Sequence, residues 1–172
     1  MTSNKTALLV IDVQRELFTH DIPVYRADEV LQNINTLVAR AHTAGTPVVY
    51  VQHSNETALL ADSEGWQLHQ ALHPSGADIM VRKTHGSSFE DTVLGDELAR
   101  RSVTQVVVTG LATHACVKAT TLAAIELGYK TTVVTDAHSN SSKDAAKLVD
   151  EWNQKLGEAG AQLTATKDVT FA

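Results

Sequence analysis

Three side chains could do covalent chemistry together if the fold gathers them: Asp12, Lys83 and Cys116. Cys116 is the one cysteine of the chain, and a thiolate attacks carbonyl or nitrile carbon. Asp12 can take the thiol proton and later return it to a departing amine. Lys83 can supply an ammonium beside the sulfur. A free thiol, with pKa near 8.5, is only about 3% ionised at pH 7. A nearby ammonium and a helix N-terminus are expected to lower that pKa by about a unit or two, each unit worth about 1.4 kcal/mol. Backbone N–H groups within 111–116 can hold an oxyanion, one such donor contributing about 3 kcal/mol. Each residue also has a plainer reading. A lone Cys packs as a small hydrophobe, Asp12 can cap a turn, and Lys83 can be a solvated strand end.

The positions of these residues follow from the elements around them. Val106-Val107-Val108 is a continuous apolar run, read as a strand covered on both faces and ending at Gly110. From Cys116 a helix is expected, through Val117, Thr120, Thr121, Ala124, Ile125 and Leu127, stopped by Gly128. The cysteine thus sits where a strand turns into a helix, next to unpaired N–H groups. Ala7–Ile11 is a second buried run, with Asp12 at its carboxyl end. Asp28 is expected to cap a helix whose apolar stripe is Val30, Leu31, Ile34, Leu37, Val38 and Ala41, ending at Gly45.

Further strands are expected over 47–53, 78–83 and 131–135, the last followed by Asp136-Ala137-His138, and an edge strand over 161–166. Helices are expected over 92–101 and 143–157. Residues 54–77 read as an irregular binding loop or lid, with a short helix around 67–72. Strands alternating with helices predict an α/β fold, a three-layer α/β/α sandwich with a mostly parallel sheet. Parallel strands share one carboxyl edge, so Asp12, His53, Lys83, Cys116 and Asp136 should gather there.

At 172 residues and 43% hydrophobic content, one soluble domain over 1–172 is the simplest expectation. A net charge of −6 with mixed signs favours neither a nucleic-acid nor a membrane-surface partner. The opening Met-Thr-Ser-Asn-Lys-Thr has no apolar signal core, so a cytoplasmic protein is expected. Eight histidines raise a metal site, with His69 and His73 spaced i, i+4. Position 70 is Gln, however, not the Glu of the zinc-protease motif. A phosphoacceptor receiver domain would need a further Asp at a central strand end, where Val51-Gln52-His53 offers none.

Three ordered motifs carry a family resemblance: Leu8-Leu9-Val10-Ile11-Asp12-Val13-Gln14, Val81-Arg82-Lys83 with Ser87-Ser88-Phe89, and Gly110-Leu111-Ala112-Thr113-His114-Ala115-Cys116-Val117. The chain resembles the cysteine hydrolases of the isochorismatase-like superfamily, which includes nicotinamidases, N-carbamoylsarcosine amidases and streptothricin hydrolases. The resemblance covers nearly the whole chain. It implies a six-stranded Rossmann-like sheet, an Asp12, Lys83, Cys116 triad, and a cis peptide between Leu111 and Ala112 that aims the Ala112 N–H, with that of Cys116, at an oxyanion. It implies hydrolysis of a small-molecule amide through a thioester, in a homo-oligomer, dimer or tetramer. Gln14, Phe18, His53, Trp66, Phe89 and His114 are then expected to line the substrate pocket.

Metal-dependent nicotinamidases carry an Asp-x-His after the second strand, where this chain reads Val51-Gln52-His53-Ser54-Asn55. Neither a metal nor another cofactor is therefore expected. Isochorismatases proper lack the cysteine. Gln52-His53-Ser54 with Glu64-Gly65-Trp66 is more similar to the metal-free, streptothricin-hydrolase-like members. A catalytically silent member that binds a small molecule, or senses oxidants through Cys116, is the alternative.

Overall fold

A computed structural model describes residues 4–172. Its strands are β1 (Lys5–Ile11), β2 (Val48–His53), β3 (Ile79–Lys83), β4 (Val103–Leu111), β5 (Lys130–Ser139) and β6 (Gln162–Thr164). The helices are α1 (Ala27–Ala44), α2 (Leu94–Arg100), α3 (Lys118–Glu126) and α4 (Ala145–Glu158). The sheet runs β3-β2-β1-β4-β5-β6 with every pairing parallel. Among the described residues no helix is long and apolar enough to cross a membrane.

The unbroken apolar runs are explained by helices on both sheet faces. Successive strand residues point to opposite faces. Leu8, Val10, Tyr50, Val107 and Val134 meet Ile34, Leu37 and Val38 of α1. Leu9, Ile11, Val51, Val106 and Val108 meet Leu94 and Leu98 of α2 and Ala124 of α3. Both faces of β1 are therefore sealed, and Ala7 to Ile11 are fully buried.

Strand order reverses between β1 and β4, which pair from Lys5↔Val103 to Ile11↔Gly110. The backbones approach closely at that last pair. Gly110 has φ +117°, and a Cβ there would lie 2.1 Å from the Ile11 carbonyl oxygen. No side-chain rotation relieves a clash with backbone. Gly110→Ala is expected to destabilise the chain by more than about 4 kcal/mol, or to leave it unfolded. Urea unfolding followed by circular dichroism checks this; a loss under about 1 kcal/mol contradicts it.

Several boundaries differ from the expected ones. β4 continues through Gly110 to Leu111, and β5 runs to Ser139, so that His138 lies within the strand. Asp28 does not cap α1. The cap position is Arg26, left-handed at φ 51°, with no side-chain cap bond, and Asp28 lies in the first turn. Its charge still faces the positive end of the helix.

No helix forms over 67–72. Those backbone groups bond elsewhere: Gln67 O accepts from Arg15 N at 2.9 Å, and His69 N donates to Val13 O at 2.8 Å. The expected pairing of His69 and His73 on one helical face is therefore absent. His69 packs against Phe18, with ring centroids 4.4 Å apart and the planes tilted by 56°, and His73 is exposed.

Candidate active site

Each candidate catalytic side chain hangs from the carboxyl edge of the sheet. Asp12 follows β1 in a left-handed conformation at φ 52°. Lys83 closes β3. Cys116 lies in a single π-helical turn, Thr113–Val117, between β4 and α3. The turn closes on Ala112, whose carbonyl accepts from Ala115 N at 3.0 Å and Val117 N at 3.2 Å. The Leu111–Ala112 peptide is cis, as the resemblance implies.

The structure brings these residues into contact. Lys83 Nζ lies 3.0 Å from Asp12 Oδ2 and 3.3 Å from Cys116 Sγ. Both charged side chains are sealed from solvent, Lys83 at 0% and Asp12 at 3% exposure. The expectation that Lys83 ends a short strand holds, but a solvated end it is not. Two further neighbours surround Nζ: His53 Nδ1 at 2.8 Å and the His85 carbonyl at 3.0 Å. An ammonium has three protons, and here four groups compete for them. Asp12 Oδ1 is buried with no hydrogen-bond partner among the described residues. The thiol lies close enough that it and Asp12 perturb each other's titration.

The electrostatics correct one expectation. Burial, with the Asp12 charge behind it, pushes the Cys116 thiol up to about 12, and Lys83 offsets only part of that. The sulfur is desolvated beside a carboxylate, so the ammonium does not prevail. Burial also raises the Asp12 carboxyl, against the pull of Lys83. A raised carboxyl is the stronger base, and a thiol close beside it can ionise as that base takes its proton. His53 is pushed down by burial and then by Lys83. A neutral ring can accept the Lys83 proton at Nδ1.

The pH dependence of alkylation follows. Labelling of Cys116 by iodoacetamide should climb steadily from about pH 6 to about pH 9 without a plateau, because only the thiolate reacts. Asp12→Asn removes a charge that holds the thiol up, so it should speed labelling at a fixed pH of about 8 while removing the base. Intact-mass kinetics check both. A plateau near neutral pH, or slower labelling of the variant, contradicts this electrostatic account.

The six residues expected around a substrate are placed differently from one another. His53 joins the triad directly. His114 lies in the Cys116 turn, half-buried, with Nδ1 buried and without a hydrogen-bond partner among the described residues. Phe89, like Cys116, packs against the core on the α2 and α3 face, and it stacks on Tyr129 at 5.6 Å. Phe18 instead packs against the α1-side core. Gln14 and Trp66 prove to be internal fasteners. Gln14 is fully buried. Its amide donates to the carbonyls of His53 at 3.0 Å and Trp66 at 2.9 Å, and accepts from His53 N at 3.0 Å. The Trp66 indole donates to Ser54 Oγ at 2.9 Å and lies under the Arg82 guanidinium at 4.6 Å. These bonds order the 54–77 segment at the end of β2.

One buried chain of hydrogen bonds escaped the sequence reading. Asn153 Nδ2 donates to the Thr135 carbonyl at 3.2 Å, which turns its Oδ1 toward His138 Nε2 at 2.7 Å. Nε2 therefore carries the proton, and Nδ1 accepts from the Thr113 hydroxyl at 2.9 Å. Burial pushes His138 down, so the ring stays neutral and ties the cysteine turn to α4. The fastening depends on β5 continuing past Thr135, which no pattern of apolar residues reveals. A cavity of about 340 Å³ lies against His138 and Asn153, with none of Asp12, Lys83 or Cys116 in its walls.

Comparison with known proteins agrees with the fold. A profile of the isochorismatase domain matches residues 6–166. Streptothricin hydrolase of Streptomyces noursei is 37% identical over 142 residues, which is 81% of this chain and 51% of that protein. This chain thus spans about half the length of that relative. The ureidoacrylate amidohydrolase RutB of Pseudomonas savastanoi pv. phaseolicola is 28% identical over 186 residues, covering 86% of this chain and 76% of that one. A crystal structure titled as a putative isochorismatase hydrolase from Oleispira antarctica superposes with TM-score 0.87 at 28% identity, covering 98% of this chain and 97% of that one.

Proposed function

We propose that this chain, which belongs to the isochorismatase domain family, is a hydrolase that cleaves a small-molecule amide through a thioester on Cys116. The observation that carries this reading is the buried contact of Lys83 Nζ with Asp12 at 3.0 Å and Cys116 at 3.3 Å. Asp12 takes the thiol proton as sulfur forms its bond to the carbonyl carbon. The N–H groups of Ala112 and Cys116 hold the oxyanion. The C–N bond then breaks, and Asp12 gives its proton to the departing amine. Water attacks the thioester along the same path, losing a proton to Asp12 as the C–S bond breaks and the acid leaves. The proton then returns to sulfur. Lys83 keeps Asp12 ionised and in place and steadies the sulfur while it is anionic.

The names of two relatives, a streptothricin hydrolase and an amidohydrolase, support a C–N bond as the target. The test is a panel of small amides and ureas with hydroxylamine added. A thioester is expected to divert to hydroxamate, with amine released at the same rate or faster. Amide cleavage without hydroxamate, unchanged in Cys116→Ala, overturns the reading.

A further inference from the structure

The Lys83 ammonium sits among three side chains that could hold a metal ion. A carboxylate oxygen of Asp12, a ring nitrogen of His53 and the sulfur of Cys116 lie within 4.8 Å of one another. In a tetrahedral zinc site, bonds of about 2.0 to 2.3 Å leave the ligand atoms roughly 3.3 to 3.8 Å apart. Closing this set asks for movements of about 1 Å. One donor is ready for a cation: Asp12, 2% exposed, has one carboxylate oxygen with no hydrogen-bond partner among the described residues. A positive charge already sits among the three, at 3.0 Å from Asp12, 2.8 Å from His53 and 3.3 Å from Cys116.

We propose that Asp12, His53 and Cys116 bind a thiophilic divalent metal ion such as zinc, that Lys83 competes with it for the same place, and that the bound ion blocks the nucleophile. Oxygen, nitrogen and sulfur together suit zinc better than magnesium or calcium, which prefer oxygen alone. In the binding step the Cys116 S–H bond breaks, sulfur bonds the metal, and the proton goes to solvent. Asp12 and His53 contribute lone pairs, and a water completes the four positions. Lys83 keeps its protons and withdraws toward the His85 carbonyl, already 3.0 Å away. No oxidation state changes. The ion acts here as an inhibitor, and the residues are not those of the Asp-x-His pattern that this sequence lacks. Only the blocking clause rests on the proposed function; the binding clause stands alone.

The experiment is calorimetric titration of chelator-treated protein with Zn²⁺, and with Co²⁺ while following thiolate-to-cobalt charge-transfer absorbance, all without substrate. The native chain is expected to bind one ion with that absorbance. Cys116→Ala should lose it, His53→Ala should bind about tenfold or more weakly, and Lys83→Met should bind at least about tenfold more tightly. Circular dichroism confirms that each variant is folded. If Lys83→Met does not fold, the native chain and Cys116→Ala decide the matter alone. No saturable binding to the native chain overturns the proposal. So does binding unchanged in Cys116→Ala, which would mean an ion elsewhere, or binding unchanged or weakened in a folded Lys83→Met. Ion binding in a chain that hydrolyses no amide defeats the proposed function alone. Hydrolysis indifferent to saturating Zn²⁺ overturns the blocking clause and leaves the proposed function standing.

Discussion

Cys116→Ala should lower kcat on any amide the native chain hydrolyses by about 10⁴-fold or more, the scale seen when a covalent nucleophile is removed. The size of the loss follows from the site. Without sulfur no thioester forms, and water would have to attack the amide directly. What survives is binding and the oxyanion donors, and the donors are worth only about 3 kcal/mol each. Asp12→Asn should lose about 10² to 10⁴-fold, the range for a displaced general base. The two losses should not add, because base and nucleophile act on one proton. The double variant should therefore resemble Cys116→Ala alone. Steady-state kinetics on one hydrolysed substrate, with folding verified, check this. A Cys116→Ala variant within tenfold of native activity would remove the cysteine from the mechanism.

Lys83→Ala should destabilise the fold by about 3 to 5 kcal/mol, the cost of leaving a buried charge unpaired. The partner left behind is Asp12, with both side chains sealed at 0% and 3% exposure. His53 and the His85 carbonyl would lose a donor as well. The pair itself need not favour folding, because desolvating two ions costs about as much as their attraction returns. The distinguishing measurement is a double-variant comparison. Lys83→Met with Asp12→Asn leaves no uncompensated charge, so it should recover much of the stability that Lys83→Met alone loses. Urea unfolding of the single and double variants checks this. Strict additivity would mean that the ion pair is screened by water that the structure does not admit.

Much of this arrangement was readable from residue types. Unbroken apolar runs such as Ala7–Ile11 mark strands covered on both faces, and such strands share one active edge. Asp12, Lys83 and Cys116 could therefore be placed together before any coordinate. What could not be read depends on side chains meeting across distance. Gln14, 52 residues from Trp66, fastens the segment after β2, whereas the family resemblance alone places it at the pocket. The 67–72 segment has helical spacing, but its backbone groups find partners in 13–15. The Cys116 thiol illustrates the same limit energetically. A strand-to-helix turn and a lysine argue for a lowered pKa, whereas burial beside Asp12, a fact of three dimensions, raises it.

The reversal of strand order between β1 and β4 also divides the chemistry. The first half of the chain builds β1, β2 and β3 and carries Asp12, His53 and Lys83. The second half builds β4, β5 and β6 and carries Ala112, Cys116 and the Thr113–His138–Asn153 fastening. The seam between them in the sheet is the β1–β4 pairing, and the loop 84–93 crosses it in the chain. On the proposed function, each half holds an incomplete reagent, acid and base without nucleophile on one side, nucleophile without base on the other. A chain cut in that loop is thus a natural split reporter, in which amide cleavage would signal that the two fragments have zipped together along β1 and β4.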